Sequence, residues 1–219
     1  MMRVKICGIT NLPDAIAAVE AGADYLGFIF YPPSKRSIDP QAAKQIVTQL
    51  RKRDDCPLLV GVFVDESAEK IVEILAQVRL DLAQLSGEEV PFMVADERSP
   101  LYGRAYKALQ PSSLEVAEAE AEWYTAPQTA AAYPSLLIDT FHPTLRGGTG
   151  KTGNWEVSAS LAKTVSGLML AGGLNTSNVE DAVKIVQPFA VDVASGVEAQ
   201  PGIKDHDKVR EFVNLAKNS

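Results

Sequence analysis

The sequence predicts an α/β chain of the (β/α)8-barrel class. Three observations carry that expectation: eight short apolar β runs, a helical run after each, and 219 residues, which gives roughly 27 per unit. A typical barrel of this kind has about 250 residues. Most of the β runs are continuous Val/Ile/Leu/Ala/Phe stretches rather than alternating ones, as parallel strands covered on both faces should be. A doubly wound open sheet is the competing architecture. It usually needs fewer strands, and its dinucleotide-binding form needs a GxGxxG after the first strand, which is absent here. One domain over residues 1–219 is expected.

The β runs are Arg3–Cys7, Tyr25–Phe30, Leu58–Val64, Leu82–Leu85, Arg104–Ala108, Leu136–Thr140, Gly167–Ala171 and Ala190–Ala194. The first helix spans Leu12–Ala21, with Asn11 as N-cap, Pro13 in its first turn and Gly22 after its end. Pro40–Leu50 follows the cap Asp39, and Ala68–Gln77 follows Ser67. Val90–Asp96 comes after a Gly87 turn, and Ser112–Trp123 is rich in the helix formers Ala and Glu. Ser158–Thr164, Thr176–Ile185 and Asp207–Lys217 complete the series. Ala126–Ser135, APQTAAAYPS, is the one shift in composition and reads as an extended surface loop. AGADYLGFIF, VRLDLAQLSG and PFAVDVASGV form a faint internal echo, as half-barrel duplication would leave.

Composition narrows the function. Hydrophobic residues make up 46% and charged residues 22%, an ordinary globular balance that excludes collagen, a disulfide scaffold and a disordered tail. A net charge of −7 argues against holding nucleic acid or an anionic membrane by bulk charge, so any phosphate must be held by local geometry. No apolar run approaches the roughly 20 residues a bilayer span needs, and the N-terminus has no signal-peptide core. Two cysteines, Cys7 and Cys56, make no disulfide framework, and a reducing cytoplasm is expected. Two histidines, with no HExxH or CxxC, leave metal binding without a motif. The sequence leaves monomer and homodimer open.

In a barrel, the residues to examine are those that follow each strand, because the chemistry sits on the C-terminal loops. Strand 7 ends in AGGLN and strand 8 in ASGVE. Backbone N–H groups of Gly172, Gly173, Ser195 and Gly196 are the candidate phosphate cradle, since glycine lets the chain approach an anion closely. By period two, Arg3, Lys5 and Cys7 share one face of the first strand, and Val4 and Ile6 share the other. With the apolar pair against the helices, Cys7 points into the barrel mouth, either as plain core or as a proton carrier. Lys5 sits one layer deeper, where it could pair with an acid. Asp139 ends strand 6 in LLIDT; a cap and an acid–base role are both open to it. Arg36, in the stiff YPPSKR loop after strand 2, could clamp a carboxylate bidentately or stay a solvated charge. His142 is a rival proton carrier.

LRGGTGKT at Leu145–Thr152 resembles a nucleotide-binding P-loop, but Leu145 stands where the motif needs glycine, and Gly153 and Asn154 interrupt the helix that should follow. A Gly-rich lid over the mouth suits it better. Three functions fit these residues: acid–base isomerisation, a lysine Schiff-base aldolase using Lys5 or Lys107, and a nucleotide-binding module built on GGTGKT.

KICGIT, GADYLGFIFYPPSKR, GVFVDES, AQLSGEE, LLIDT, GGTGKTGNW, LAGGLN and PFAVDVASGVEAQPGIKDHDKV, in that order, resemble the phosphoribosylanthranilate isomerase family. The blocks span nearly the whole chain. The resemblance implies a cofactor-free, metal-free barrel that converts N-(5-phosphoribosyl)anthranilate into 1-(2-carboxyphenylamino)-1-deoxyribulose 5-phosphate, an Amadori rearrangement in tryptophan biosynthesis. It implies Cys7 as general base, Asp139 as general acid and Arg36 against the anthranilate carboxylate. Gln84 and Asp192 would contact the substrate, and the GGL and SGVE loops its phosphate. Three features depart from the family pattern. Ser86 stands where the family has His, GKTGNW stands for GKTFDW, and the Ala-rich insert before strand 6 is long.

Overall fold

A computed structural model describes residues 2–140 and 155–219. Eight parallel strands close into a barrel in chain order: β1 (Arg3–Cys7), β2 (Tyr25–Ile29), β3 (Leu58–Phe63), β4 (Leu82–Leu85), β5 (Ala105–Leu109), β6 (Leu136–Asp139), β7 (Leu168–Ala171) and β8 (Ala190–Val193). β8 pairs with β1, which completes the ring. Among the described residues eight helices alternate with them: α1 (Leu12–Glu20), α2 (Pro40–Leu50), α3 (Ala68–Val78), α4 (Phe92–Ala95), α5 (Leu114–Tyr124), α6 (Trp155–Ala162), α7 (Val179–Val186) and α8 (His206–Lys217). Between β8 and α8 lie a single 3-10 turn, Ser195–Val197, and a small hairpin of β9 (Glu198–Gln200) and β10 (Ile203–Lys204).

All eight predicted strands are present, and the caps explain where most helices start. The Asn11 side chain accepts from the Asp14 N–H at 2.9 Å. Asp39 accepts from Gln41 N–H at 2.8 Å, and Ser67 from Lys70 N–H at 3.2 Å. Each cap satisfies an N–H that the first helical turn leaves without a partner. α7 begins three residues later than its composition suggests. Asn178 Oδ1 accepts from Asn175 N–H and Asn175 Oδ1 from Ser177 N–H, both at 2.8 Å, so side chains hold the backbone in a turn that competes with helix. α6 begins three residues earlier than expected, at Trp155, whose buried ring anchors the first turn in the core. Ala126–Ser135 does more than cross the surface. Tyr25 Oη donates to Ala132 O at 2.6 Å and Arg3 Nη2 to Ala131 O at 3.3 Å, which fastens this loop across the N-terminal end of the barrel.

Strand register sorts the two faces. Lys5 pairs with Tyr25 and Asp192, Val62 with Gln84, and Gln84 with Tyr106, so these residues share the inner face. Val4, Ile6, Leu26 and Phe28 fall on the outer face, fully buried in the main apolar core. The interior is thus polar at its centre and apolar toward the helices.

Candidate active site

Cys7 is the last residue of β1 and follows Lys5 on the inner face, 5% exposed. Its register partner is Gly27 of β2; a Cβ on Gly27 would lie 2.7 Å from the Cys7 sulfur. The missing side chain makes the space that the thiol occupies. Burial pushes the Cys7 thiol above the usual range, the Lys5 charge opposes this, Asp192 reinforces it, and Lys204 opposes it. Burial is the larger influence, so the net effect favours the protonated thiol over the thiolate.

Beneath Cys7, four buried side chains meet across the barrel. Lys5 Nζ donates to Gln84 Oε1 at 2.7 Å and to Asp192 Oδ1 at 3.1 Å, and Tyr106 Oη donates to the same Gln84 oxygen at 3.1 Å. Burial alone would lower the Lys5 pKa, but the adjacent Asp192 carboxylate reverses this and holds the ammonium above the ordinary lysine range. Gln84 Nε2 reaches up to Ser86 Oγ at 3.1 Å. Gln84 and Asp192, expected against the substrate, are thus engaged first with Lys5, one layer below the mouth. Side-chain alternation on β4 and β8 could place them inward but could not reveal what held them there.

Arg36 does grip a carboxylate through two bonds, but the carboxylate belongs to Glu198. Nε donates to Oε1 and Nη2 to Oε2, both at 2.8 Å. The arginine lies along the tip of β1: a Cβ on Gly8 would come within 2.9 Å of its Cδ. Glu198 also accepts from Lys204 Nζ at 3.1 Å and Gly202 N–H at 3.2 Å. Burial would raise the Glu198 pKa, yet the hydrogen bond from Arg36 and the Lys204 charge bring it below the usual carboxylate range. Glu198 and Lys204 were missed at the sequence level. The Pro201-Gly202 turn between them was the available signal, because such a dipeptide folds its flanks into a hairpin.

Asp139 ends β6, half-buried, with Gln110 Nε2 donating to its Oδ2 at 3.4 Å. β6 and β1 are separated by β7 and β8 on the shorter way round, so Cys7 and Asp139 stand on well-separated strands of one rim. Between them lie the two glycine loops. Gly172 and Gly173 have φ of 101° and 66°, the left-handed region that suits glycine. Among the described residues their N–H groups donate to no carbonyl. Gly196 packs onto the β7 loop so closely that a Cβ would fall 1.9 Å from Leu174 O. Ser195 and Gly196 open the 3-10 turn.

The two candidate Schiff-base lysines are both occupied. Lys107 faces the helical shell, with Nζ 3.1 Å from Glu89 Oε2 and donating to Gly87 O at 2.5 Å. Lys5 is a locked ammonium. Among the described residues, no cluster of three His, Cys, Asp or Glu side chains is placed to hold a metal ion, and no helix is long and apolar enough to cross a membrane. His142 and Leu145–Thr152 lie outside the described residues.

A closed (β/α)8 barrel with reactive side chains and glycine loops gathered at the C-terminal rim defines a barrel enzyme. The family model for N-(5'phosphoribosyl)anthranilate (PRA) isomerase matches residues 4–215, and the chain belongs to that family. It is 42% identical to the N-(5'-phosphoribosyl)anthranilate isomerase of Trichlorobacter lovleyi, with 100% of both chains covered. The crystal structure of phosphoribosyl anthranilate isomerase from Thermotoga maritima superposes with a TM-score of 0.85 at 42% identity, again over 100% of both chains. A second isomerase structure, in complex with reduced 1-(o-carboxyphenylamino)-1-deoxyribulose 5-phosphate, gives 0.83 at 39% identity and the same coverage.

Proposed function

We propose that this chain, working as a single barrel domain, converts N-(5-phosphoribosyl)anthranilate into 1-(2-carboxyphenylamino)-1-deoxyribulose 5-phosphate. Family membership supplies the reaction. The observation that carries the residue roles is a buried inward thiol at the tip of β1, on the same rim as the carboxylate that ends β6.

Asp139 gives a proton to the furanose ring oxygen as the C1′–O4′ bond breaks. The electron pair of the anthranilate nitrogen moves to C1′ and forms the Schiff base. Cys7, as thiolate, takes the C2′ proton. The released pair forms the C1′–C2′ double bond of an enolamine, and the C=N π electrons return to nitrogen. Protonation at C1′ with loss of the C2′ hydroxyl proton gives the ketone. Both ends of the transfer are acid–base steps, so two positioned groups on opposite sides of one sugar suffice. The N–H groups of Gly172, Gly173, Ser195 and Gly196 take the phosphate. Arg36 faces the anthranilate carboxylate. Asp192 offers its second oxygen to a sugar hydroxyl, and Gln84 holds Lys5 beneath it. A catalytic thiol must stay reduced, and the unpaired state of Cys7 and Cys56 supports a cytoplasmic setting.

The test is direct. Phosphoribosylanthranilate generated in situ should lose its anthranilate-type fluorescence when the protein is added, and the gene should rescue a tryptophan auxotroph lacking this step. No fluorescence loss at micromolar protein, together with no rescue, would overturn the assignment.

A further inference from the structure

Arg36 presents a problem of charge. A guanidinium can bind a carboxylate through its Nε/Nη2 edge or through its Nη1/Nη2 edge. Here the first edge is filled by Glu198. Among the described residues Nη1 has no hydrogen-bond partner, and the side chain is 25% exposed, so the second edge remains for a ligand. An Arg–Glu pair is neutral, however, and a ligand carboxylate arriving at that edge would meet the Glu198 charge with nothing to balance it.

Lys204 supplies the balance. Its ammonium is 0% exposed and lies 3.1 Å from Glu198 Oε1, the same oxygen that accepts from Arg36 Nε. It also donates to Ala194 O at 3.0 Å, at the end of β8, and its backbone N–H is fastened to the buried Asp14 carboxylate at 2.8 Å. Burial lowers its pKa and Glu198 offsets part of that cost. Arg36, Glu198 and Lys204 together carry one positive charge, held in a low-dielectric setting where a single charge is strongly felt.

We propose that Lys204 is a positioning residue for substrate selection: by neutralising Glu198, it leaves Arg36 a net-cationic receptor for an aryl carboxylate. This deepens the proposed function and rests on it, since that reading supplies the carboxylate. Glu198 sets the plane of the guanidinium, and Lys204 restores the charge that Glu198 removes.

The experiment compares calorimetric affinities for two probes: reduced 1-(o-carboxyphenylamino)-1-deoxyribulose 5-phosphate and its counterpart without the carboxylate. The parent protein should prefer the carboxylate probe. Lys204→Met should shrink that preference at least ~10-fold, the scale of a close charge pair. Glu198→Gln, which leaves two positive charges, should hold or increase it. Lys204→Met combined with Glu198→Gln returns to one charge and should restore it. A merely structural role predicts loss in all three variants, and that result would overturn the proposal, as would an undiminished preference in a folded Lys204→Met. If Lys204→Met does not fold, Glu198→Gln still decides by the sign of its effect. A parent protein that turns over substrate yet shows no carboxylate preference sinks the Lys204 role alone; one that neither turns over substrate nor binds either probe sinks the isomerase reading with it.

Discussion

Lys5 and Asp192 meet at 3.1 Å inside the barrel, joined by the closing β1–β8 pairing. Neither charge has bulk water to fall back on: the lysine side chain is 0% exposed and the aspartate 10%. Lys5→Met should therefore cost about 3–5 kcal/mol of stability, because it strands a buried carboxylate. Adding Asp192→Asn should recover part of the loss. Urea denaturation followed by far-UV circular dichroism measures both. Equal stability of Lys5→Met and the parent would show that the pair is not an internal strut.

The acid–base assignment makes a sharper demand. Cys7→Ala and Asp139→Asn should each lower turnover at least ~10²-fold, the low end for a positioned proton carrier. Both residues lie at the rim, and the same preparations should keep parent-like circular dichroism spectra. Steady-state kinetics at saturating substrate separates loss of chemistry from loss of binding. Near-parental turnover in either variant removes that residue from the mechanism.

The pH dependence has a definite sign. Burial raises the Cys7 pKa, and the opposing Lys5 charge does not cancel it. The thiol should therefore stay mostly protonated at pH 7 and ionise above the ordinary value of about 8.5. Iodoacetamide modification, followed in a Cys56→Ser background so that only Cys7 reports, should accelerate with pH into the alkaline range. The acid limb of kcat/KM for the unliganded enzyme should follow the same ionisation. A modification rate already flat from pH 6 upward would mean that the thiol is ionised at rest and that the Lys5 charge dominates burial.

What the sequence made legible was local. Val4 and Ile6 against Lys5 and Cys7 set the faces of β1 because side chains alternate with period two. Asn11, Asp39 and Ser67 declared their helix starts because each cap bond spans only three or so residues. The start of α7 escaped because Asn175, Ser177 and Asn178 offered the backbone a second set of partners, and composition does not say which set wins. The site was half-legible for a different reason. Cys7 and Asp139 are placed by the ends of their own strands. Arg36 and Glu198 are 162 residues apart, and Lys5 and Asp192 are 187 apart. Only ring closure brings them together, and no local pattern encodes a distance that long.

Gly196 tests the phosphate cradle through packing. A Cβ there would fall 1.9 Å from Leu174 O, a backbone atom that cannot swing aside as a flexible side chain would. In the proposed cradle, Gly196→Ala pushes the β8 loop away from the β7 loop, so that the N–H groups of Gly172, Gly173, Ser195 and Gly196 no longer converge on one anion. Loss of even one hydrogen bond to a charged phosphate oxygen is enough to weaken binding ~10-fold. Inorganic phosphate, used as a competitive inhibitor, should therefore lose at least that much potency. KM for the sugar phosphate should rise while turnover at saturation falls less, since Cys7 and Asp139 sit on β1 and β6 rather than on the displaced loop. Unchanged phosphate inhibition in a folded Gly196→Ala protein would move the anion site elsewhere on the rim.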